Sequence, residues 1–142
     1  MQSDDGGVIV DSHIWIEFLS GEESPTTAEV DRLIRSDSIR LVGPVIFEVL
    51  VGPRKEAHRQ YIQGRLRAFR LLETTDGVWS TAVDLGRHEG VVTRRVPFSD
   101  VLIAAHAILY GCSIFTEDPH FDAFPDLIRY RSPRGRSPRS HR

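Results

Sequence analysis

The sequence is poor in cysteine and in long hydrophobic runs. A single cysteine, Cys112, occurs in 142 residues, which excludes an internal disulfide and favours a reducing compartment. The longest apolar runs, such as residues 101–105, are far too short to span a bilayer. The first seven residues, MQSDDGG, are acidic and small, unlike the basic start of a secretory signal. We therefore expect a cytoplasmic protein that does not associate with membranes.

Several familiar catalytic motifs are also missing. Neither a G-x-x-x-x-G-K phosphate loop nor a G-x-S-x-G nucleophile elbow occurs in the sequence. His88-Glu89 does not open a zinc-binding His-Glu-x-x-His motif, because position 92 is a valine. These absences argue against nucleotide hydrolysis at a P-loop, serine hydrolysis at such an elbow and zinc proteolysis.

The charge of the chain is unevenly distributed. The composition, 40% apolar and 27% charged, is ordinary for a globular domain. Residues 131–142 contain five arginines and no acidic residue, whereas the remaining residues hold 13 basic and 20 acidic side chains. We predict one domain over residues 1–130 with an acidic surface, followed by a disordered tail rich in Arg, Ser and Pro over residues 131–142.

Short apolar runs alternate with segments of helical periodicity along the body of the chain. The runs predict strands at residues 8–10, 39–42, 71–72, 113–116 and 127–130. The periodic segments predict helices at residues 13–19, 27–35, 44–51, 54–70, 75–90 and 99–111. Short strands separated by helices need crossover connections, so we predict an α/β fold with a short-stranded parallel sheet flanked by helices.

Boundary residues and apolar spacing make the helix predictions more specific. Ser99 is predicted to be an N-cap, and Gly111 is predicted to end the same helix. The segment 44–51 is almost entirely apolar, so we expect a buried helix there. In the two helices that follow it, the apolar spacing predicts that Tyr61 and Trp79 face inward. The tryptophans and phenylalanines are expected to lie mostly in the core or in a dimer interface.

Four acidic side chains occur in apolar surroundings. Asp11 follows the first predicted strand, and Asp118 follows the strand at 113–116. Glu48 is the only polar residue of an apolar segment, and Asp100 lies in the first turn of the most apolar helix. A buried carboxylate is costly unless it is paired, bound to a metal or protonated. Four such groups, each at the mouth of a core element, predict convergence on one site.

Converging carboxylates repel one another unless a cation lies between them. Mg²⁺ and Mn²⁺, which prefer oxygen ligands, would relieve this repulsion. Such ions suit phosphoryl chemistry, in which they activate water and stabilise a leaving oxygen. The simpler alternative is that the acids are surface helix caps and ordinary ion pairs. The recurrence of the feature at four positions favours the metal site over that alternative.

The same four positions carry a resemblance to a known family. The segments VIVDSHIWIEFLSG, VIFEVLVG and VPFSDVLIAAHAILYGCSIFTEDPHF resemble, in this order, those of PIN-domain ribonucleases. The resemblance is specifically to the VapC-type toxins of bacterial toxin–antitoxin pairs, and it covers residues 8–127. The D-x-L-I-A-A-x-A block and the T-x-D end of the third segment are its most specific parts.

The resemblance implies a single PIN-like domain and an activity. The catalytic residues, which would hold one or two Mg²⁺ ions or alternatively Mn²⁺, would be Asp11, Glu48, Asp100 and Asp118. Ser12 and Thr116 would support the site. The implied reaction is endonucleolytic cleavage of RNA by metal-activated water, which leaves a 5′-phosphate and a 3′-hydroxyl. The implied partners are the RNA substrate, a small cognate antitoxin whose C-terminal segment blocks the site, and a second copy of the chain in a homodimer.

The chain departs from the family pattern at two places. Many relatives have a further Asp two residues after the fourth acid, where this chain has His120. Two interpretations stay open: the histidine weakens a second metal site, or it is a permitted variant. The basic tail after Tyr130 has no counterpart in the family pattern, and its role is open as well.

Two other functions compete with the nuclease hypothesis. A PIN-like module that binds RNA or protein without cutting would have no reason to keep mutually repelling carboxylates facing anionic RNA. A receiver-like phosphoacceptor also has an Asp after its first strand, but it needs a lysine after a late strand. The only lysine here is Lys55, in a predicted charged helix. The metal-dependent endoribonuclease is therefore the preferred hypothesis.

Overall fold

The structure of the chain, a computed structural model, describes residues 6–132. Residues 1–5 and 133–142 lie outside the described residues, and most of the predicted basic tail falls there. The domain boundary at residue 130 and the disorder of the tail therefore stay predictions. Among the helices of residues 6–132, none is long and apolar enough to cross a bilayer.

A parallel sheet of five short strands forms the centre of the described fold. The strands are β1 (Val8–Val10), β2 (Ile39–Leu41), β3 (Arg70–Leu71), β4 (Ser113–Phe115) and β5 (Ile128–Arg129). Their order across the sheet is β3-β2-β1-β4-β5, and each neighbouring pair is parallel. The central strand β1 is buried along its whole length, as is typical of a β-branched run covered on both faces. The predicted α/β fold is therefore confirmed.

Helices connect and cover these strands. They are α1 (Ser12–Leu19), α2 (Pro25–Arg35), α3 (Gly43–Val51), α4 (Glu56–Leu66), α5 (Asp76–Gly86), α6 (Glu89–Thr93) and α7 (Phe98–Tyr110). A 3-10 turn, Pro119–Ala123, follows β4. The single helix predicted over residues 75–90 is in fact two, because the extended backbone of His88 separates α5 from α6. The helix predicted over 54–70 is shorter, since its last residues form β3 and the turn before it.

Helix α7 is the core helix of the fold. Its residues 100–107 are all buried, and it packs against α5 and β4. The predicted C-terminal glycine is confirmed, because Gly111 has the left-handed backbone, with φ 71° and ψ 31°. The predicted N-cap is wrong. Pro97 occupies that position, and the Ser99 hydroxyl instead donates a hydrogen bond of 2.9 Å to Glu48 Oε2.

Several apolar side chains that were predicted to face inward lie on the surface. The exposed fractions are 66% for Phe47, 54% for Tyr61 and 45% for Trp79. Helix α3 buries Val45 and Val49, which are one turn apart, so Phe47 between them points to the opposite side. The expectation of a buried helix at this segment is therefore only half correct, because a helix beside a small sheet buries one face and leaves the other exposed.

The backbone of Gly111 generates a prediction about stability. Replacement by alanine places a Cβ in the left-handed region, so we expect Gly111→Ala to lower the free energy of unfolding by about 1 kcal/mol. Gly64→Ala is the matched control, because Gly64 lies inside α4 with nothing within 4 Å of an added Cβ. That change should raise the free energy of unfolding by roughly 0.5 to 1 kcal/mol. Urea unfolding measures both, and equal shifts in one direction would contradict the account.

Candidate functional site

The first and fourth acids follow adjacent strands, at the same edge of the sheet. Asp11 directly follows β1, and Asp118 comes three residues after the end of β4. The two strands are paired with Val10 opposite Phe115, and the Asp11 backbone N–H donates to the Phe115 carbonyl at 3.0 Å. Because the carboxyl ends of parallel strands meet at one edge, this pairing brings the two segments together where such sheets bind ligands.

Thr116 links these two acidic segments. Its hydroxyl donates a 2.6 Å hydrogen bond to Asp11 Oδ2 and accepts one of 3.0 Å from the backbone N–H of Asp118. The backbone N–H of Ser12 donates to the other carboxylate oxygen of Asp11, Oδ1, at 2.8 Å. Asp11 itself is 4% exposed. Its carboxylate is therefore held on both oxygens in a buried position.

Glu48 and Asp100 enter from two helices that pack against each other. Glu48 lies in the second half of α3, and Asp100 lies in the first turn of α7. The hydrogen bond from the Ser99 hydroxyl to Glu48 Oε2 joins α3 to the residue just before Asp100. Glu48 is half-buried, whereas the side chain of Asp100 is only 10% exposed. The second and third acids are thus brought to one place by the α3–α7 contact.

His120 lies between two of the acids. Its Nδ1 is 3.1 Å from Asp100 Oδ2 and 3.3 Å from Asp118 Oδ1. One ligand atom from each of these three residues lies within 4.8 Å of the other two. The residue that departs from the family pattern is therefore inside the acidic cluster.

A second histidine, His13, contacts the acids from α1. Its Nδ1 is 3.3 Å from Asp11 Oδ2, and its Nε2 is 3.5 Å from Glu117 Oε1. Glu117 Oε2 accepts a hydrogen bond of 3.3 Å from the Thr26 hydroxyl of α2. Neither His13 nor Glu117 was predicted from the sequence. Their position beside predicted site residues was the available signal, since one lies two residues after Asp11 and the other directly before Asp118.

Asp100 is the acid whose pKa the other three acids affect. Burial and the negative charges of Asp118 and Asp11 raise the pKa of Asp100 to about 6. The charge of Glu48 raises that pKa further, whereas His120 lowers it. Charge interactions weaken with distance and with solvent screening, so Asp11, Glu48 and Asp118 all lie near enough to act on Asp100. The structure therefore brings Asp100 and Asp118 to within ligand distance of one another, with Asp11 and Glu48 close by.

The pKa of Asp11 is shifted in the opposite direction, to below its ordinary value. Burial alone would raise the pKa of its carboxyl, but hydrogen bonds from His13, Thr116 and the Ser12 backbone together lower it below the ordinary value. The pKa of His13 is raised, chiefly by its hydrogen bond to Asp11 against the opposing effect of burial. The site thus combines one carboxyl whose pKa is lowered, Asp11, with one whose pKa is raised to about 6, Asp100.

The donor set fits a divalent cation. Asp100, Asp118 and His120 offer two oxygens and a nitrogen within 4.8 Å of one another, and Asp11 and Glu48 add negative charge nearby. Carboxylate oxygens are ligands for Mg²⁺ and Mn²⁺, and a cation would relieve the repulsion that raises the pKa of Asp100. Ser12 contributes through its backbone N–H, and Thr116 through its hydroxyl.

Solved structures share this fold. A chain of VapBC2 from Rickettsia felis, bound to a DNA fragment from their promoter, aligns with a TM-score of 0.73 and 16% identity, covering 87% of this chain and 96% of that one. A chain of a toxin–antitoxin complex from Klebsiella pneumoniae aligns with a TM-score of 0.66 and 19% identity, covering 86% of this chain and 96% of that one. A chain of FitAcB from Neisseria gonorrhoeae aligns with a TM-score of 0.66 and 20% identity, covering 87% of this chain and 96% of that one. At these identities the likeness concerns the fold alone.

Sequence comparison also finds similar proteins with VapC names. Ribonuclease VapC11 of Mycobacterium tuberculosis is 26% identical to this chain over 131 residues, which cover 88% of the chain and 96% of that protein. A VapC ribonuclease of Mycobacterium bovis, Mb1587, matches with the same values. The family model for the PIN domain matches residues 8–127. Because that match covers most of the sequence, and the parallel sheet agrees with it, the chain belongs to the PIN domain family.

Proposed function

We propose that this chain is a VapC-type toxin, a metal-dependent endoribonuclease of a toxin–antitoxin pair. Its family and its similarity to proteins named VapC ribonucleases support this assignment. The observation that carries the proposal is the convergence of Asp100 and Asp118 beside His120, with Asp11 tied to the Asp118 segment by Thr116. In this arrangement burial and the charges of the other three acids raise the pKa of Asp100 to about 6. Such repulsion is useful to a protein that binds a cation there and is otherwise a cost to stability.

The surroundings of each acid suit this role. Thr116 and the Ser12 backbone fix the orientation of Asp11, and Ser99 orients Glu48. The carboxylates of Asp100 and Asp118 approach a common point beside His120. Mg²⁺ or Mn²⁺ bound there would supply an activated water and would neutralise charge at a phosphodiester. Without a cation, the same four carboxylates would repel the RNA backbone.

The proposed partners follow from the same comparisons. The aligned solved structures are described as VapBC or toxin–antitoxin complexes, which supports a small antitoxin as the protein partner. The similar proteins are named ribonucleases, which supports RNA as the substrate. We place the blocking segment of the antitoxin over the acidic edge of the sheet, where it would cover the site.

An exposed apolar surface supports the homodimer. We call it the aromatic face, and it comprises Phe47, Trp79, Val83, Val92 and Phe98. The rings of Trp79 and Phe98 stack with centroids 6.1 Å apart and an angle of 15° between their planes. All five side chains are at least 45% exposed. Phe47 borders one surface hollow with Trp79 and Phe98, and these two rings border a second hollow with Val83 and Val92, so the five side chains form one patch. An apolar patch of this kind marks an interaction surface, and a two-fold dimer would bury the same patch of both copies.

The first test is cleavage of RNA by the purified protein. We expect a mixed RNA pool to be cut in the presence of Mg²⁺ or Mn²⁺ and to stay intact with EDTA. Asp100→Asn should lower the cleavage rate by on the order of a hundredfold or more, because one carboxylate of the metal site is lost. Mapping the ends of the fragments gives the cleavage chemistry and the sequence preference.

Asp122→Asn is the matched control for this test. Asp122 lies in the 3-10 turn near the site, but it is exposed and forms an ion pair of 3.0 Å with Arg129. The same chemical change there should leave cleavage unchanged. RNA that stays intact with either metal, while still binding to the protein, would contradict the nuclease proposal in favour of a non-catalytic binding module.

The raised pKa of Asp100 generates a prediction about the metal-free protein. A folded-state pKa of about 6, above the ordinary 3.8, means that the folded state binds more protons than the unfolded state between these values. The contribution of Asp100 to stability is therefore most favourable below about pH 4 and is lost as the pH rises through about 6. Asp100→Asn removes this loss, so at pH 7.5 and in EDTA the variant should be about 1 to 2 kcal/mol more stable than the wild type.

Urea unfolding at pH 4.5 and at pH 7.5 provides the measurement. The stability advantage of Asp100→Asn should be small at the lower pH and should grow at the higher one. A variant that is less stable than the wild type at both values would show that Asp100 has a structural role instead.

The aromatic face generates a prediction about assembly. Trp79→Glu places a charge at its stacked pair, so we expect the wild type to be a dimer and this variant to be a monomer by light scattering. Ile16→Glu is the control, because Ile16 is 50% exposed on α1 and lies outside the aromatic face. A monomeric wild type, or equal effects of the two substitutions, would overturn the assignment of this face.

A further inference from the structure

The imidazole of His120 has the position of a metal ligand. Its Nδ1 faces Asp100 Oδ2 at 3.1 Å and Asp118 Oδ1 at 3.3 Å. Octahedral ions with ligand bonds of about 2.1 Å have neighbouring ligand atoms about 3 Å apart. The nitrogen and each of the two oxygens therefore have the separation of neighbouring ligands around one ion.

The local backbone fixes this position. Asp118 is the N-cap of the 3-10 turn, and its Oδ1 accepts a 2.9 Å hydrogen bond from the backbone N–H of His120. Pro119 restricts the backbone between the two residues, and Phe121, only 1% exposed, anchors the turn in the core. The constrained turn thus holds the imidazole of His120 beside the carboxylates. The side chain of His120 is 40% exposed to solvent.

The chemistry of the three donors differs from that of an all-carboxylate site. Mg²⁺ is a hard ion that prefers oxygen and gives up its water reluctantly. Imidazole nitrogen suits first-row transition metals, and Mn²⁺ is the member of that series that also favours carboxylate oxygen. A site with two carboxylates and one imidazole therefore discriminates against Mg²⁺.

We propose that His120 is a direct ligand of the bound ion, together with Asp100 and Asp118, and that its nitrogen makes the site prefer Mn²⁺ to Mg²⁺. This inference rests on the proposed function for the existence of the metal site, and it adds the identity of one ligand and of the metal. The competing explanation is that His120 only donates hydrogen bonds to the two carboxylates, in which case it supplies no nitrogen to the ion.

The first experiment measures affinities and does not use RNA cleavage. Mn²⁺ is titrated into the full-length protein while the signal of free Mn²⁺ is followed by electron paramagnetic resonance, and Mg²⁺ is then added as a competitor. His120→Asp should lower the ratio of Mn²⁺ to Mg²⁺ affinity by at least about tenfold, because it replaces the nitrogen ligand with an oxygen. His120→Ala should weaken Mn²⁺ binding by about ten- to a hundredfold.

The control is His88→Asp, which makes the same change of side chain and charge at the start of α6. This substitution should leave the affinity ratio unchanged. If His120→Asp and His88→Asp shift the ratio equally, the effect is one of net charge, and the inference is overturned.

The second experiment observes the ligand directly. Electron–nuclear double resonance on bound Mn²⁺ should detect coupling to a ¹⁴N nucleus in the wild type, and this coupling should vanish in His120→Ala. A wild type that lacks the coupling overturns the inference. So does coupling that persists in His120→Ala and vanishes in His13→Ala, because the nitrogen would then belong to the other histidine of the site.

The two levels of the proposal fail in different ways. If the wild type binds neither metal, or if Asp100→Asn leaves Mn²⁺ binding unchanged, the metal site of the proposed function is itself wrong. If Asp100→Asn abolishes Mn²⁺ binding while the His120 variants change neither the affinity ratio nor the spectrum, the metal site stands and only the role of His120 is overturned.

Discussion

The mutual repulsion of carboxylates at the edge of a parallel sheet is the constraint around which this molecule is organised. The pairing of β1 with β4 places the segment at Asp11 beside the segment at Asp118, and Thr116 bonds to both. The packing of α7 against α3 then adds Asp100 and Glu48 to the same field. The fold thus concentrates negative charge at this edge of the sheet, and burial together with this charge raises the pKa of Asp100.

Two histidines reduce that repulsion in the protein without a metal. His13 lies beside Asp11, and His120 lies beside Asp100 and Asp118. His13 also contacts Glu117, whereas Nδ1 of His120 faces carboxylate oxygens of both Asp100 and Asp118. On the proposal that His120 is a ligand, the departure from the family pattern at position 120 replaces an oxygen ligand with a nitrogen.

Sequence patterns predicted the parts of the structure that local rules determine. The β-branched run before Asp11 forms the central strand, and Gly111 ends the core helix with a left-handed backbone. The four acids could be singled out because a carboxylate in an apolar segment is costly. Features that depend on tertiary contacts could not be predicted in this way. Ser99 looked like a cap, but its hydroxyl bonds to Glu48, 51 residues away.

The exposed aromatic side chains also could not be predicted from local sequence patterns. Apolar periodicity reports that a side chain prefers to leave water, but it does not distinguish the core of the chain from a contact with another molecule. Trp79 follows the spacing of an inward residue and is nevertheless 45% exposed, stacked on Phe98. His13 and Glu117 were missed for a related reason, because their pairing joins α1 to the segment after β4 across about a hundred residues.

The most direct test of the account is a crystal structure of the protein soaked in Mn²⁺, with data collected at the manganese absorption edge. The account predicts an anomalous peak within bonding distance of carboxylate oxygens of both Asp100 and Asp118. The contrary result would be no peak at this edge of the sheet, with the two carboxylates directed away from each other.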